Sequence, residues 1–287
     1  MGHPEADQPR WHPPVLWRVA LRAAPVAVAP LCRLRVTGDV PDDRRGGPMI
    51  LAANHIGAFD PFVLAAACRR RRIAPRILAT GGLFRAPVIG PVMRLAGHLR
   101  VDRRRPTVAD ALPAARLAID SGAVVLAYPE GRITLDPGMW PERGKTGLAR
   151  LAIATGVPVV PVAQWGAHLV LPWGAPRGMI RRLAWSLIHR PEVRVHFGPP
   201  VALDDVTALD PATPATEAAA ERVEVREAMV SARAVRDATN RIIDALVDQL
   251  VMLRPDEPRL PAWIDSHRPL ATGRTHRYRG SPGWPPR

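Results

Sequence analysis

The chain has 287 residues, 47 % of them apolar, which suits one large α/β domain with terminal extensions. Its formal charge of +14 calls for anionic company, and the 5 % aromatic share argues against a base-stacking platform for single-stranded nucleic acid. The two cysteines, Cys32 and Cys68, lack any CxxC or metal spacing, so they read as small buried hydrophobes in a reduced cytoplasmic setting, with no metal or cofactor implied.

No stretch reaches the ~18 uninterrupted apolar residues that a spanning helix requires, and the polar, Pro-rich start lacks the pattern of a signal peptide. Within 11–34, Val15, Leu16, Val19, Ala20, Ala23 and Ala27 recur at helical spacing, with Arg18 and Arg22 one turn apart. This pattern predicts a basic amphipathic helix in the plane of an anionic membrane surface, with Trp11 and Trp17 at headgroup level. The competing reading is a helix packed on its own domain, and Pro25 and Pro30 are expected to break the segment. Residues 1–33 are accordingly set apart as a membrane-interface segment.

A short strand is expected over 34–38, a turn-rich connection over 39–48, and a strand over 49–54. A helix follows from Asp60 to about residue 70, with Pro61 in its first turn, and 69–72 form a basic cluster. Strand 76–80, helix 87–95, strand 98–101, helix 107–119 and strand 123–128 come next. Helix 146–154 and strand 157–163 repeat the alternation, and 192–197 reads as a late edge strand. Alternating strands and helices joined by short Gly/Pro loops predict an α/β fold: a largely parallel mixed sheet flanked by helices. A helical region over 211–253 completes a domain of 34–253. The basic, Pro-rich stretch 254–287 has no periodicity and reads as a disordered tail.

His55 and Asp60, in Ala53-Asn54-His55-Ile56-Gly57-Ala58-Phe59-Asp60-Pro61-Phe62, stand five positions apart just after an apolar strand. A strand ending there delivers His55 to the sheet's carboxyl edge, where open α/β folds keep their ligand crevices. A carboxylate bonded to one ring nitrogen leaves the other to take a proton from a substrate hydroxyl. Asp60 also suits the start of a helix, whose dipole favours a carboxylate. Three further blocks follow in order: Gly97-His98-Leu99-Arg100-Val101-Asp102-Arg103, Tyr128-Pro129-Glu130-Gly131-Arg132, and Val157-Pro158-Val159-Val160-Pro161-Val162.

Together the four blocks resemble the glycerolipid acyltransferase family, in particular the bacterial 1-acylglycerol-3-phosphate acyltransferases, over about residues 34 to 200. The resemblance implies that His55 is a general base oriented by Asp60, with Asn54, Arg85, Arg103, Glu130, Gly131, Arg132 and Lys145 around the substrate. Pro158 and Pro161 would help shape the acyl pocket. It implies acyl-CoA or acyl carrier protein as donor and lysophosphatidic acid as acceptor, with no nucleic acid, at the cytoplasmic face of the cell membrane as a peripheral or monotopic protein. A guanidinium fork suits phosphate oxygens, which makes Arg103 the first phosphate ligand.

The chain departs from the family in two places, one being a Lys often found before Leu83-Phe84, absent here with Thr80 near that place while Arg85 remains. Thr-Arg-Ser after Pro-Glu-Gly becomes Arg132-Ile133-Thr134, so Ile133 occupies the usual phosphate-binding position. Arg132, or Arg143 and Lys145, would take over that load. A different lysolipid or glycolipid acceptor is therefore an alternative, and a non-enzymatic basic membrane- or nucleic-acid-binding protein is a second. Gly144-Lys145-Thr146 is no P-loop, because Met139 stands where the leading Gly belongs. No Gly-x-Ser-x-Gly elbow is present.

Overall fold

In the computed structural model the described residues are 11–41, 46–101, 111–136, 138–171, 178–203 and 232–255. The strands are β1 (Arg33–Gly38), β2 (Met49–Ala53), β3 (Arg76–Thr80), β4 (Leu99–Val101), β5 (Val124–Ala127), β6 (Val159–Trp165) and β7 (Glu192–Phe197). They form one sheet in the order β1-β7-β6-β2-β5-β3-β4. Every pairing is parallel except β6 with β7. The expected α/β class, a largely parallel mixed sheet flanked by helices, is the observed one.

Side-chain alternation along β2 builds the two layers. Met49, Leu51 and Ala53 join a core with α1 (Val15–Val28), α2 (Asp60–Arg70) and α7 (Ala167–Val170) on one face. Ile50 and Ala52 meet α5 (Ala111–Asp120), α6 (Thr146–Thr155) and α9 (Ala232–Leu253) on the other. All five β2 residues and all four of β5 are buried, as central strands covered on both faces must be. Short α3 (Gly81–Arg85) and α4 (Ile89–Leu95) connect β3 to β4, and α8 (Met179–His189) lies between α7 and β7.

Three details correct the sequence reading. Strand β7 is not at an edge: β1 covers one side of it and β6 the other. Its alternating burial reports a half-solvated face and carries no information about its hydrogen-bonding edges. Helix α1 continues through Pro25 to Val28, because Leu21 and Val28 are buried on the core and tertiary packing outweighs one lost backbone bond. Trp17 is buried, its indole donating to the Pro75 carbonyl at 2.9 Å and meeting His98 edge-on, so it anchors α1 to the domain and not to headgroups. The residues expected to form the helix's apolar stripe, Val15, Leu16, Val19, Ala20, Ala23 and Ala27, are all exposed. Among the described residues no helix is long and apolar enough to cross a membrane. The stretches 1–10, 211–231 and 256–287, and with them most of the expected tail, lie outside the described residues.

Candidate active site

Parallel pairing brings the carboxyl ends of β2, β5, β3, β4 and β6 to one sheet edge, and the loops leaving those strands build the site. Asn54 closes the end of β2. Its amide donates to the Gln164 carbonyl at 3.0 Å and accepts from the Gln164 N–H at 2.7 Å, while the Gln164 side chain returns to the Asn54 carbonyl. Asn54 is fully buried, so it locks β2 to β6 and is not the substrate contact expected of it. That lock fixes where the next residue leaves the sheet.

The next residue is His55. Its Nδ1 lies 2.8 Å from Asp60 Oδ2, and the same oxygen accepts the backbone N–H groups of Ile56 at 2.6 Å and Gly57 at 2.9 Å. Asp60 has no exposed surface, whereas the His55 side chain keeps 16 %. With Nδ1 committed, Nε2 is the nitrogen open to a substrate, and Nδ1–H donating to the carboxylate selects the tautomer in which Nε2 accepts. Gly57 is required because a Cβ there would stand 2.9 Å from the Leu171 carbonyl oxygen. The loop can close round the carboxylate only without a side chain at that position.

The turn after β5 supplies the other wall. Tyr128 stacks on the His55 ring with centroids 4.0 Å apart and planes within 14°. Burial, then the nearby Asp60 and Cys68, push its phenol well above the usual range, so the stacking ring stays neutral. Glu130 Oε1 accepts the His55 backbone N–H at 3.2 Å and its Oε2 accepts the Glu142 N–H at 2.9 Å. Thr134 N–H donates to the His55 carbonyl at 2.8 Å. Gly131 adopts φ +70°, a left-handed turn that glycine takes without strain, and a Cβ there would come 3.3 Å from Lys145 Cγ. Lys145 N–H donates to the Pro129 carbonyl at 2.7 Å, which seats the lysine beside this turn.

These contacts give a base–carboxylate pair at the open end of a parallel sheet. Residues 33–165 match the family model described as Acyltransferase. That part of the chain is similar to the acyltransferase family. This match agrees with the resemblance carried by the four blocks. A 1-acyl-sn-glycerol-3-phosphate acyltransferase from Brassica napus, chloroplastic by its name, is 28 % identical over 145 residues, which is 50 % of this chain and 40 % of that protein. An uncharacterised protein of Mycobacterium tuberculosis is 31 % identical over 161 residues, 53 % of this chain and 42 % of its own length. The solved PlsC 1-acyl-sn-glycerophosphate acyltransferase of Thermotoga maritima is 20 % identical, with TM-score 0.49 over 77 % of this chain and 78 % of that one. The chain spans about half the length of the plant relatives it matches, 40 % of the first and 52 % of the second.

Around the His55–Asp60 pair the remaining expected site residues separate into groups. Arg132 sits at the same sheet edge with Nη2 2.7 Å from Glu142 Oε2, and buried Glu142 also accepts the Leu135 N–H. Part of the Arg132 charge is therefore already balanced. Arg85 ends α3, which leaves the carboxyl end of β3, and it is exposed. Pro161 is buried within β6, paired with Ala52, whereas Pro158 precedes β6 at the amino edge. Pro158 is about six residues, or roughly 20 Å, along the strand from the level of His55. Arg103 lies outside the described residues.

Sequence reading did not assign roles to Tyr128, Thr134, Gln164 or Glu142. Tyr128 was in plain view beside Pro129-Glu130, but no spacing rule says that a strand's last aromatic will stack on a histidine of its neighbour. Nor did it find the clamp at the end of α9. Buried Arg254 lies between two indoles, its guanidinium carbon 4.1 Å from the Trp140 ring centroid and 3.8 Å from that of Trp165. Its Nη2 donates to the Gly138 carbonyl at 2.7 Å. Trp140 N–H in turn donates to Asp136 Oδ2, and the Trp140 carbonyl accepts from the Thr134 hydroxyl. The loop that contacts His55 is thus held by the last turn of α9. Burial pushes the Asp136 carboxyl up to about 7, against the pull of the Trp140 and Gly138 N–H groups and of Arg254.

Proposed function

We propose that this acyltransferase moves a fatty acyl group from acyl-CoA or acyl carrier protein to the sn-2 hydroxyl of 1-acylglycerol 3-phosphate, giving phosphatidate, at the cytoplasmic face of a membrane. The observation that carries the reading is His55 Nδ1 held 2.8 Å from a fully buried Asp60 while the ring keeps an open side.

Nε2 takes the proton of the acceptor hydroxyl as its oxygen attacks the thioester carbonyl carbon. Asp60 stabilises the imidazolium that forms, and Tyr128 fixes the ring plane without adding charge. Collapse of the tetrahedral adduct breaks the C–S bond, and the departing thiolate takes the proton from Nε2. The ester and a free thiol leave, and the base is restored. Lys145 beside Gly131, together with Arg132, Arg85 and Arg103, supplies the positive charge assigned to the acceptor's phosphate and the anionic donor.

The test is thiol release from acyl-CoA in the presence of lysophosphatidate. His55→Ala is expected to lower turnover by about 10²–10⁴-fold while the protein stays folded; full activity in a folded variant overturns the mechanism. A second reading, an acceptor lacking the phosphate, is favoured by Ile133 at the family's arginine position and by the Arg132–Glu142 pair. Turnover of paired acceptors with and without a phosphate separates the two.

A further inference from the structure

Helix α8 is turned inside out. Of its eleven residues only Ser186 is buried, while Ile180, Leu187 and Ile188 are 82 %, 54 % and 78 % exposed. These three and the exposed Ala184 fall on one face, at i, i+4, i+7 and i+8. Isolated exposed leucines and isoleucines are ordinary, but a whole helical face of them marks a contact surface.

The chain places that face beside the catalytic edge. Before α8, the Leu171 carbonyl packs against Gly57 of the His55 loop. After it, Arg194 of β7 pairs with Trp165 at the carboxyl end of β6. Helix α8 is therefore an excursion that starts and finishes where the site opens. It also adjoins α1: Arg190 Nε donates to the Ala29 carbonyl at 3.1 Å, and Leu183 packs on the cluster that buries Trp17, Leu21 and Val28. Helix α1 likewise exposes Val15, Val19 and Val26.

Charge identifies the occupant. Neither 178–190 nor 11–38 contains a single Asp or Glu, and Arg18, Arg22, Arg181 and Arg190 are exposed. In a two-fold pairing of this face with a second copy, the same cations would meet each other. An anionic bilayer complements the charge and accepts the isoleucines at the acyl boundary. Trp185, which stacks on His189 and lies beneath Arg182, suits the headgroup level.

We propose that α8 is a second interfacial anchor which, alongside α1, seats the mouth of the active site on anionic lipid. The contact follows from the surface itself; only its purpose, delivery of a lipid acceptor, rests on the function proposed above. The test uses the full chain with vesicles of phosphatidylcholine, alone or mixed with phosphatidylglycerol. The protein is expected to co-sediment with the mixed vesicles, and Ile180→Ser with Ile188→Ser to weaken that binding about ten-fold or more. Arg181→Gln with Arg190→Gln should lower affinity for the mixed vesicles and leave the weak binding to phosphatidylcholine alone unchanged. Turnover of a water-soluble short-chain acyl donor and acceptor should be the same in the isoleucine variant as in the parent, which shows that the fold is intact. Equal vesicle binding by parent and isoleucine variant overturns the proposal. So does a parent dimer that the isoleucine change converts to monomer with vesicle binding intact. His55→Ala should still bind vesicles, so failure of the chemistry and failure of the anchor are separate results.

Discussion

Asp60→Asn separates the charge of Asp60 from its shape. In the parent, Oδ2 accepts from His55 Nδ1, Ile56 N and Gly57 N, while Oδ1 is buried with no hydrogen-bond partner. The two backbone donors require an acceptor at the Oδ2 position, so the asparagine oxygen is pinned there and its NH₂ falls where Oδ1 was. Nδ1–H then keeps an acceptor and the productive tautomer survives. What is lost is the negative charge opposite the imidazolium, worth about 2–4 kcal/mol for a close, partly screened pair, or roughly 30- to 1,000-fold in kcat. The buried NH₂ without an acceptor costs about 1–3 kcal/mol of stability. Steady-state thiol release should show kcat falling within that range, with KM for the acceptor little changed and residual activity above that of His55→Ala. A loss equal to that of His55→Ala would refute the pinning, since it would mean that the amide had flipped and reversed the tautomer. A rise in KM at constant kcat would refute the assignment of Asp60 to the base.

Two further outcomes test the loop that braces the site. Glu142→Ala removes the partner of Arg132 and the acceptor of the Leu135 N–H, and because Arg132 is about a third exposed the expected destabilisation is about 1–3 kcal/mol; an unchanged denaturant midpoint would refute it. The folded-state carboxyl of Asp136 is raised to about 7 by burial, so its contribution to stability is present at low pH and is lost as pH rises through about 7. Asp136→Asn should flatten the fall in unfolding midpoint between roughly pH 4 and 7, and an unaltered slope in that window would count against the buried carboxyl.

The fold was legible where one physical signal dominated. Met49 to Ala53 and Val124 to Ala127 are continuous apolar runs, and only central parallel strands have a use for them. His55 was found because the loop between a strand and a helix N-terminus keeps base and carboxylate within five residues. The failures lie where distant packing overrules local pattern. Pro25 reads as a helix breaker, but Leu21 and Val28 are buried on either side of it. Trp17 reads as an interfacial aromatic, yet the Pro75 carbonyl satisfies its indole inside the domain. Residues 164–191 received no assignment, and α8 lies there. Its outward apolar face mimics the core face of an ordinary amphipathic helix, and periodicity alone cannot say which side is turned to water. The partners of Glu130 were illegible for a similar reason: they are backbone N–H groups of His55 and Glu142, and a backbone donor leaves no mark in the sequence.

The guanidinium wedged between Trp140 and Trp165 gives the order of synthesis a consequence. The strands that lead into His55 and Glu130 leave the ribosome before the residue that clasps their loop, which follows α9. Until then the nascent domain has its base and carboxylate while Trp140 lacks the guanidinium that packs on its ring. The brace on the loop beside His55 is thus completed only when α9 docks.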